Sequence, residues 1–170
     1  MEVILEHKSS KRVKLDQIDQ QILHDLQEDG RITNVKLAEN VGISAPPCLR
    51  RVRALEKDGY ILGYHAELNR ARLDFKELFF ALVGLSSQAQ TILKGFEDQV
   101  SVWPEVRECH MIRGGGDFLL KIVARDKEQR DALTMKLTSA ENVIKVTTLE
   151  TIRTSKGLPS VPLDSFLTND

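Results

Sequence analysis

Residues 34–53, Asn-Val-Lys-Leu-Ala-Glu-Asn-Val-Gly-Ile-Ser-Ala-Pro-Pro-Cys-Leu-Arg-Arg-Val-Arg, decide how the chain is read. Asn34 is a capping residue type, and Val35, Ala38 and Val41 recur at helical spacing, which predicts a short helix of about two turns. Gly42 then stands where a left-handed residue closes a helix. After the tight connection Gly42-Ile43-Ser44, Ser44 is placed to cap a further helix whose first turn holds Ala45, Pro46 and Pro47. Prolines are tolerated there because first-turn N–H groups have no intrahelical acceptor. At about 100° per residue, Cys48, Leu49, Val52 and Leu55 fall on one side of this helix and Arg50, Arg53 and Lys57 on the other, with Arg51 at the flank.

Upstream, Leu15, Ile18, Ile22, Leu23 and Leu26 keep helical spacing until Gly30. Asp16 as cap and Asp19 in the first turn predict a helix from about 16 to 28. Downstream, Asp58-Gly59 ends the pattern, and Tyr60 to His65 reads as a strand leading away. Three helices with a tight turn between the second and third, and arginines outward on the third, match the layout of a helix-turn-helix DNA reader. Guanidinium forks suit phosphates and guanine edges. On this pattern alone, the solvated face of an ordinary three-helix bundle fits equally well.

From residue 77 the period changes. Leu78 to Leu85 reads as a buried strand, Ala89 to Val100 as a helix with Ile92, Leu93 and Phe96 inward, and Val106 to Ile112 and Asp117 to Ala124 as two strands around the hairpin Arg113-Gly114-Gly115-Gly116. Asp126 caps a helix carrying Ala132, Leu133 and Leu137, and Ile144 to Thr154 alternates as a last strand. The order β-α-β-β-α-β is ferredoxin-like, so the fold class is α+β. Gly157, Pro159 and Pro162 mark a loose tail.

The 170 residues are 41% hydrophobic and 29% charged, which excludes disorder throughout and leaves room for one domain or two small ones. With 24 Lys plus Arg against 25 Asp plus Glu, any affinity for nucleic acid must come from local clustering. No apolar stretch approaches the roughly 20 residues of a membrane helix, and the first 14 residues are too short, with Glu2 and Glu6 where a signal peptide would be free of acids. The expectation is therefore a cytoplasmic protein, nucleoid-associated where the helix-turn-helix reading holds. Cys109 and His110 are neighbours on a strand and so point to opposite faces, leaving Cys109 as a buried structural residue. His7, His24, His65 and His110 have no ligand spacing, so no metal is expected. Trp103 reads as a packed aromatic beside a turn. No nucleophile, metal or phosphate-cradling motif speaks for an enzyme.

The run LDQIDQQILHDLQEDGRITNVKLAENVGISAPPCLRRVRALEKDGYILGYHAELN (15–69), followed by ECHMIRGGGDFLLKI (108–122), resembles the leucine-responsive and asparagine-operon regulator family, Lrp/AsnC. The resemblance spans about residues 14–155. It implies a winged-type helix-turn-helix domain over 15–63, after a tail of 1–14. A strand linker, 64–76, would lead to a ferredoxin-like domain over 77–155 that binds an amino-acid effector and oligomerises, with a tail over 156–170. Together with the helical wheel it puts Thr33, Asn34, Ser44, Pro46, Arg50, Arg51, Arg53 and Lys57 at double-stranded DNA. Gly114, Gly115, Gly116, Asp117 and Phe118 correspond to the effector hairpin. That hairpin usually reads Gly-Asp-x-Asp-Tyr in the family. Here Gly115 lacks the acid and Phe118 the hydroxyl, while Asp117 remains as a counter-charge. The implied protein is a transcription regulator of amino-acid metabolism or transport, assembled as dimers and further as octamers or rings. An architectural DNA-binding protein of the same fold without a small ligand is the alternative.

Overall fold

The computed structural model describes residues 15–158 and 161–163; the basic segment 1–14 and the rest of the expected tail lie outside these. The described residues form two units, residues 15–67 with 157–158 and 161–163, and residues 68–156.

The first unit holds α1 (Gln17–Glu28), α2 (Asn34–Asn40) and α3 (Ala45–Lys57). α1 opens with a reciprocal capping box: the Asp16 side chain accepts from Asp19 N–H, and the Asp19 side chain from Asp16 N–H. α2 is capped by Thr33, whose hydroxyl accepts from Lys36 N–H at 3.2 Å, and not by Asn34, which is already helical. Gly42 at φ 69° and Gly59 at φ 77° close α2 and α3 in the left-handed region that side chains disfavour. Ile22, Leu37, Ala38, Cys48 and Leu55 form the core of the three helices. Each buried branched side chain in it contributes about 1.5–3 kcal/mol.

Two expectations change here. Residues 61–69 form no strand, because their backbone has no ladder partner among the described residues. The tail is not wholly loose either, since Gln27 donates from Nε2 to the Val161 carbonyl at 2.8 Å and accepts from Val161 N–H at 3.4 Å.

The second unit is β1 (Glu77–Leu85), α4 (Gln90–Ser101), β2 (Val106–Met111), β3 (Phe118–Ala124), α5 (Lys127–Thr138) and β4 (Val143–Glu150). The strands pair antiparallel in the order β2-β3-β1-β4. Strict alternation sends Phe79, Ala81, Val83 and Leu85 of β1, and Phe118, Leu120, Ile122 and Ala124 of β3, into one core with Phe96, Val100, Leu133 and Leu137 of the two longer helices. β4 stops at Glu150, opposite Phe79 near the start of β1; beyond it Ile152 is 98% exposed, so apolar alternation outlasts the strand. Ala132, expected inward, is exposed on α5.

Candidate DNA-reading helix and effector hairpin

α3 is set against α2 by short polar links. Ile43 N–H reaches the Ala38 carbonyl at 3.0 Å across Gly42, and Asn34 Nδ2 donates to the Ala45 carbonyl at 2.9 Å. Asn34 is half-buried, its Oδ1 without a partner among the described residues, so it braces the joint between two helices. Ser44 takes the N-cap position in extended backbone but makes no side-chain cap, which leaves its hydroxyl exposed.

Against α1, Arg51 NH1 bonds Asp16 Oδ2 at 2.8 Å and Asp19 Oδ1 at 2.7 Å. The Asp19 and Asp16 carboxylates push the Arg51 guanidinium further into its charged range. The Asp19 N–H and then Arg51 hold the Asp16 carboxyl below its ordinary value. Arg51, grouped by sequence with the DNA contacts, is thus spent inside the domain. Thr33, Pro46, Arg50, Arg53 and Lys57 are exposed, and none of the three cations forms an ion pair with a described residue. Leu49 departs from its expected inward place: it is exposed on the same side as Arg53. A wheel sorted by residue type conceals this, because Leu49 falls between the two faces and its apolar side chain pulls the assignment inward.

The hairpin behaves differently. Asp117 Oδ2 accepts from Leu85 N–H at 2.7 Å and Oδ1 from Gln88 Nε2 at 3.0 Å, while Asp117 N–H donates to the Val83 carbonyl at 2.8 Å. The expected free counter-charge is therefore tied to the end of β1. Phe118 is fully buried, its ring centroid 5.0 Å from that of Phe96, so its side chain cannot face an effector. A Cβ on Gly116 would lie 2.9 Å from the Val83 carbonyl oxygen, which requires glycine for packing. Gly114, at φ 131°, and Gly115 are exposed and offer backbone only.

Cys109 is exposed on the edge strand β2, contrary to the buried place expected. Desolvation and then Glu97 raise its thiol to about 11, which suppresses the thiolate. His110 Nε2 lies 3.1 Å from Glu108, which also takes Lys121 Nζ at 2.7 Å. Trp103 is buried, with Lys136 Nζ 3.8 Å from its ring centroid. Among the described residues no group of three or more His, Cys, Asp or Glu could hold a metal, and no helix is long and apolar enough to cross a membrane.

Comparison with known proteins matches two family models along the chain. Residues 15–61 match a winged helix-turn-helix DNA-binding model, and residues 78–161 match the Lrp/AsnC ligand binding domain. A leucine-responsive regulatory protein of Rhizobium meliloti is 52% identical over 153 residues, 89% of this chain and 98% of the relative. The protein of that name from Escherichia coli is 47% identical over 107 residues, 63% of this chain and 65% of its own. Among solved structures, a transcriptional regulator of Neisseria meningitidis in complex with L-Met superposes with a TM-score of 0.83 at 33% identity, over 91% of this chain and 100% of its own. An AsnC family regulator of Agrobacterium tumefaciens gives 0.82 at 32% identity, over 90% and 100%.

Proposed function

The chain belongs to the Lrp/AsnC family of effector-responsive, DNA-binding transcription regulators, and on that premise we propose that α3 is its reading helix, with Arg50, Arg53 and Lys57 at the DNA. The observation that carries this is the contrast along α3 itself. Arg51 is neutralised by two aspartates that pin the helix to α1, while its neighbours Arg50 and Arg53 stay outward with their charge unspent. A rigid helix with free guanidinium forks on one side is what base-edge and phosphate contacts need. Ser44, Pro46 and Thr33 flank that face as backbone-contact candidates, whereas Asn34 and Arg51 act by positioning. Arg50→Ala or Arg53→Ala is expected to weaken binding to a selected operator by about 1–3 kcal/mol where the arginine reads a base. A phosphate contact instead weakens all sequences alike and lowers the salt slope by about one unit. Unchanged binding by both folded variants would overturn the assignment.

The partners follow from the same premise. The open face of the sheet carries Leu78, Phe80 and Leu82 of β1 beside Leu119 and Val123 of β3, with Lys121 between them paired to Glu108, a largely apolar surface suited to a second copy and hence to a two-fold dimer. Such a dimer places reading helices in half-sites about 34–36 Å apart, and dimers can assemble further into octamers or rings. The work is done on chromosomal DNA in the cytoplasm, and no catalytic step is assigned.

For the effector we propose an amino acid held at Gly114 and Gly115, whose exposed backbone can offer N–H groups to a carboxylate. The solved relative with L-Met supports this class of ligand. The architectural alternative is favoured by one observation: the only carboxylate of the hairpin, Asp117, is used internally. Thermal melting against a panel of amino acids separates the two. A sensor melts higher with its ligand, by linkage, and an architectural protein does not.

A further inference from the structure

The outward side of α3 is not wholly basic. Leu49 is 38% exposed and takes no place in the core of the three helices, although Cys48 immediately before it is fully buried. By helical geometry Leu49 lies about 40° round the helix from Arg53 and about 60° from Pro46, with Arg50 about 100° away. An isobutyl group therefore stands in the same stripe as a proline and an arginine, beside two further cations. Its exposed part gains from burial only when a partner covers it, so the partner of this helix decides its use. Self-association through the patch is opposed by charge, because a two-fold contact would bring Arg50, Arg53 and Lys57 against their own copies. DNA reverses that sign. Among the base edges of the major groove the apolar group on offer is the C5-methyl of thymine.

We propose that Leu49 is a specificity-determining residue that packs on a thymine methyl group in the operator, while the flanking arginines hold phosphates or guanine edges. This rests on the reading of α3 as the DNA-facing helix and adds the base that one position prefers. It also accounts for the departure of Leu49 from the inward face that its residue type predicts.

The test removes methyl groups from the DNA. A duplex selected in vitro by the full chain from random sequences is remade with each thymine replaced in turn by deoxyuridine, which keeps every hydrogen-bonding edge. Wild type is expected to lose about four-fold in affinity at one thymine per half-site, the worth of one buried methyl-sized group. Leu49→Ala should bind the parent duplex more weakly and ignore that replacement, and Leu49→Met should keep the sensitivity. If Leu49→Ala remains as sensitive as wild type, or if no thymine matters to wild type, the proposal fails while the reading helix stands. If Arg50→Ala and Arg53→Ala also bind the parent duplex unchanged, the reading helix itself is wrong and Leu49 falls with it. A Leu49→Ala protein with an unaltered thymine profile but a lower mass in light scattering would assign the leucine to a protein contact instead.

Discussion

On α3 the cations at 50, 53 and 57 point away from the fold, whereas on the hairpin at 113–118 Asp117 and Phe118 turn back into it and only Arg113 stays outward as a side chain. Both segments carry residue types that suit a ligand, and the difference comes from where each segment sits. A helix lying on two others buries one stripe and must expose the opposite one, so side chains there keep their valence for a partner. A hairpin at the end of a sheet is surrounded by strand ends whose N–H groups need acceptors, and Asp117 is captured by the nearest, Leu85 N–H. The proposed reading surface thus consists of side chains, and the proposed effector surface is reduced to the backbone of Gly114 and Gly115 beside the exposed Arg113.

The sharpest way to break this contrast is Phe118→Ala. If Phe118 is core, truncation costs about 3–5 kcal/mol of stability in the ferredoxin-like unit, seen as a much lower denaturation midpoint, with α3 unaffected. A variant that melts like wild type but has lost amino-acid binding would return Phe118 to the ligand. Asp117→Ala comes next, at about 1.5–3 kcal/mol, because Leu85 N–H loses a charged acceptor. Asp117→Asn keeps one acceptor oxygen and should recover much of that. A counter-charge for an ammonium group would show the reverse pattern in calorimetry, with binding lost in the Asn variant at unchanged stability.

Sequence alone is most legible where one local rule decides the outcome. Asp16 and Asp19 announce the capping box of α1, Gly42 and Gly59 sit where left-handed backbone is required, and the apolar run from Leu78 to Leu85 marks a strand, although only the structure shows that one side of it is buried. It fails where a partner elsewhere in the fold chooses. Thr33 and Asn34 are both capping types, and the bond from Asn34 to Ala45 draws it inward and leaves the cap to Thr33. Tyr60 to His65 has strand composition, yet a strand exists only beside another. Arg51 differs from Arg50 and Arg53 only through two aspartates more than thirty positions earlier, a distance no helical wheel spans.

Arg51→Ala tests the other side of the contrast, with a smaller effect of about 1 kcal/mol on the stability of the three-helix unit. If Arg51 sets the helix and touches no phosphate, operator affinity should fall modestly with no change in salt slope. Its pH dependence has a definite sign. The Asp16 carboxyl is lowered from its ordinary 3.8 when folded, so the stability it contributes is present above that value and lost as pH falls through the folded value. Wild type should therefore lose melting temperature below about pH 4. The variant should lose less, though some, since the Asp19 N–H still holds Asp16. Equal acid sensitivity in both would mean that the ion pair contributes nothing.

The smallest effect, and the one that bears most directly on the hairpin, is expected of Gly115→Asp. Gly115 is exposed, is not among the positive-φ glycines, and a Cβ there meets only Leu82 Cδ2 at 3.3 Å, the far end of a flexible side chain. The change should therefore alter stability by no more than about 0.5 kcal/mol. Unlike Asp117, a carboxylate at 115 starts on the exposed part of the turn, away from the Leu85 N–H that captures its neighbour. If an amino acid lies along this backbone, the new charge faces its ammonium group, and an exposed pair of this kind is worth about 0.2–1 kcal/mol, up to about five-fold in affinity. Calorimetry with the same amino acid on both proteins reads the difference directly. Tightening places the ammonium beside residue 115 and makes the missing acid the reason for weak binding. Binding that is present but unchanged would put the ligand's charge elsewhere, and the proposed site at Gly114 and Gly115 would have to be abandoned.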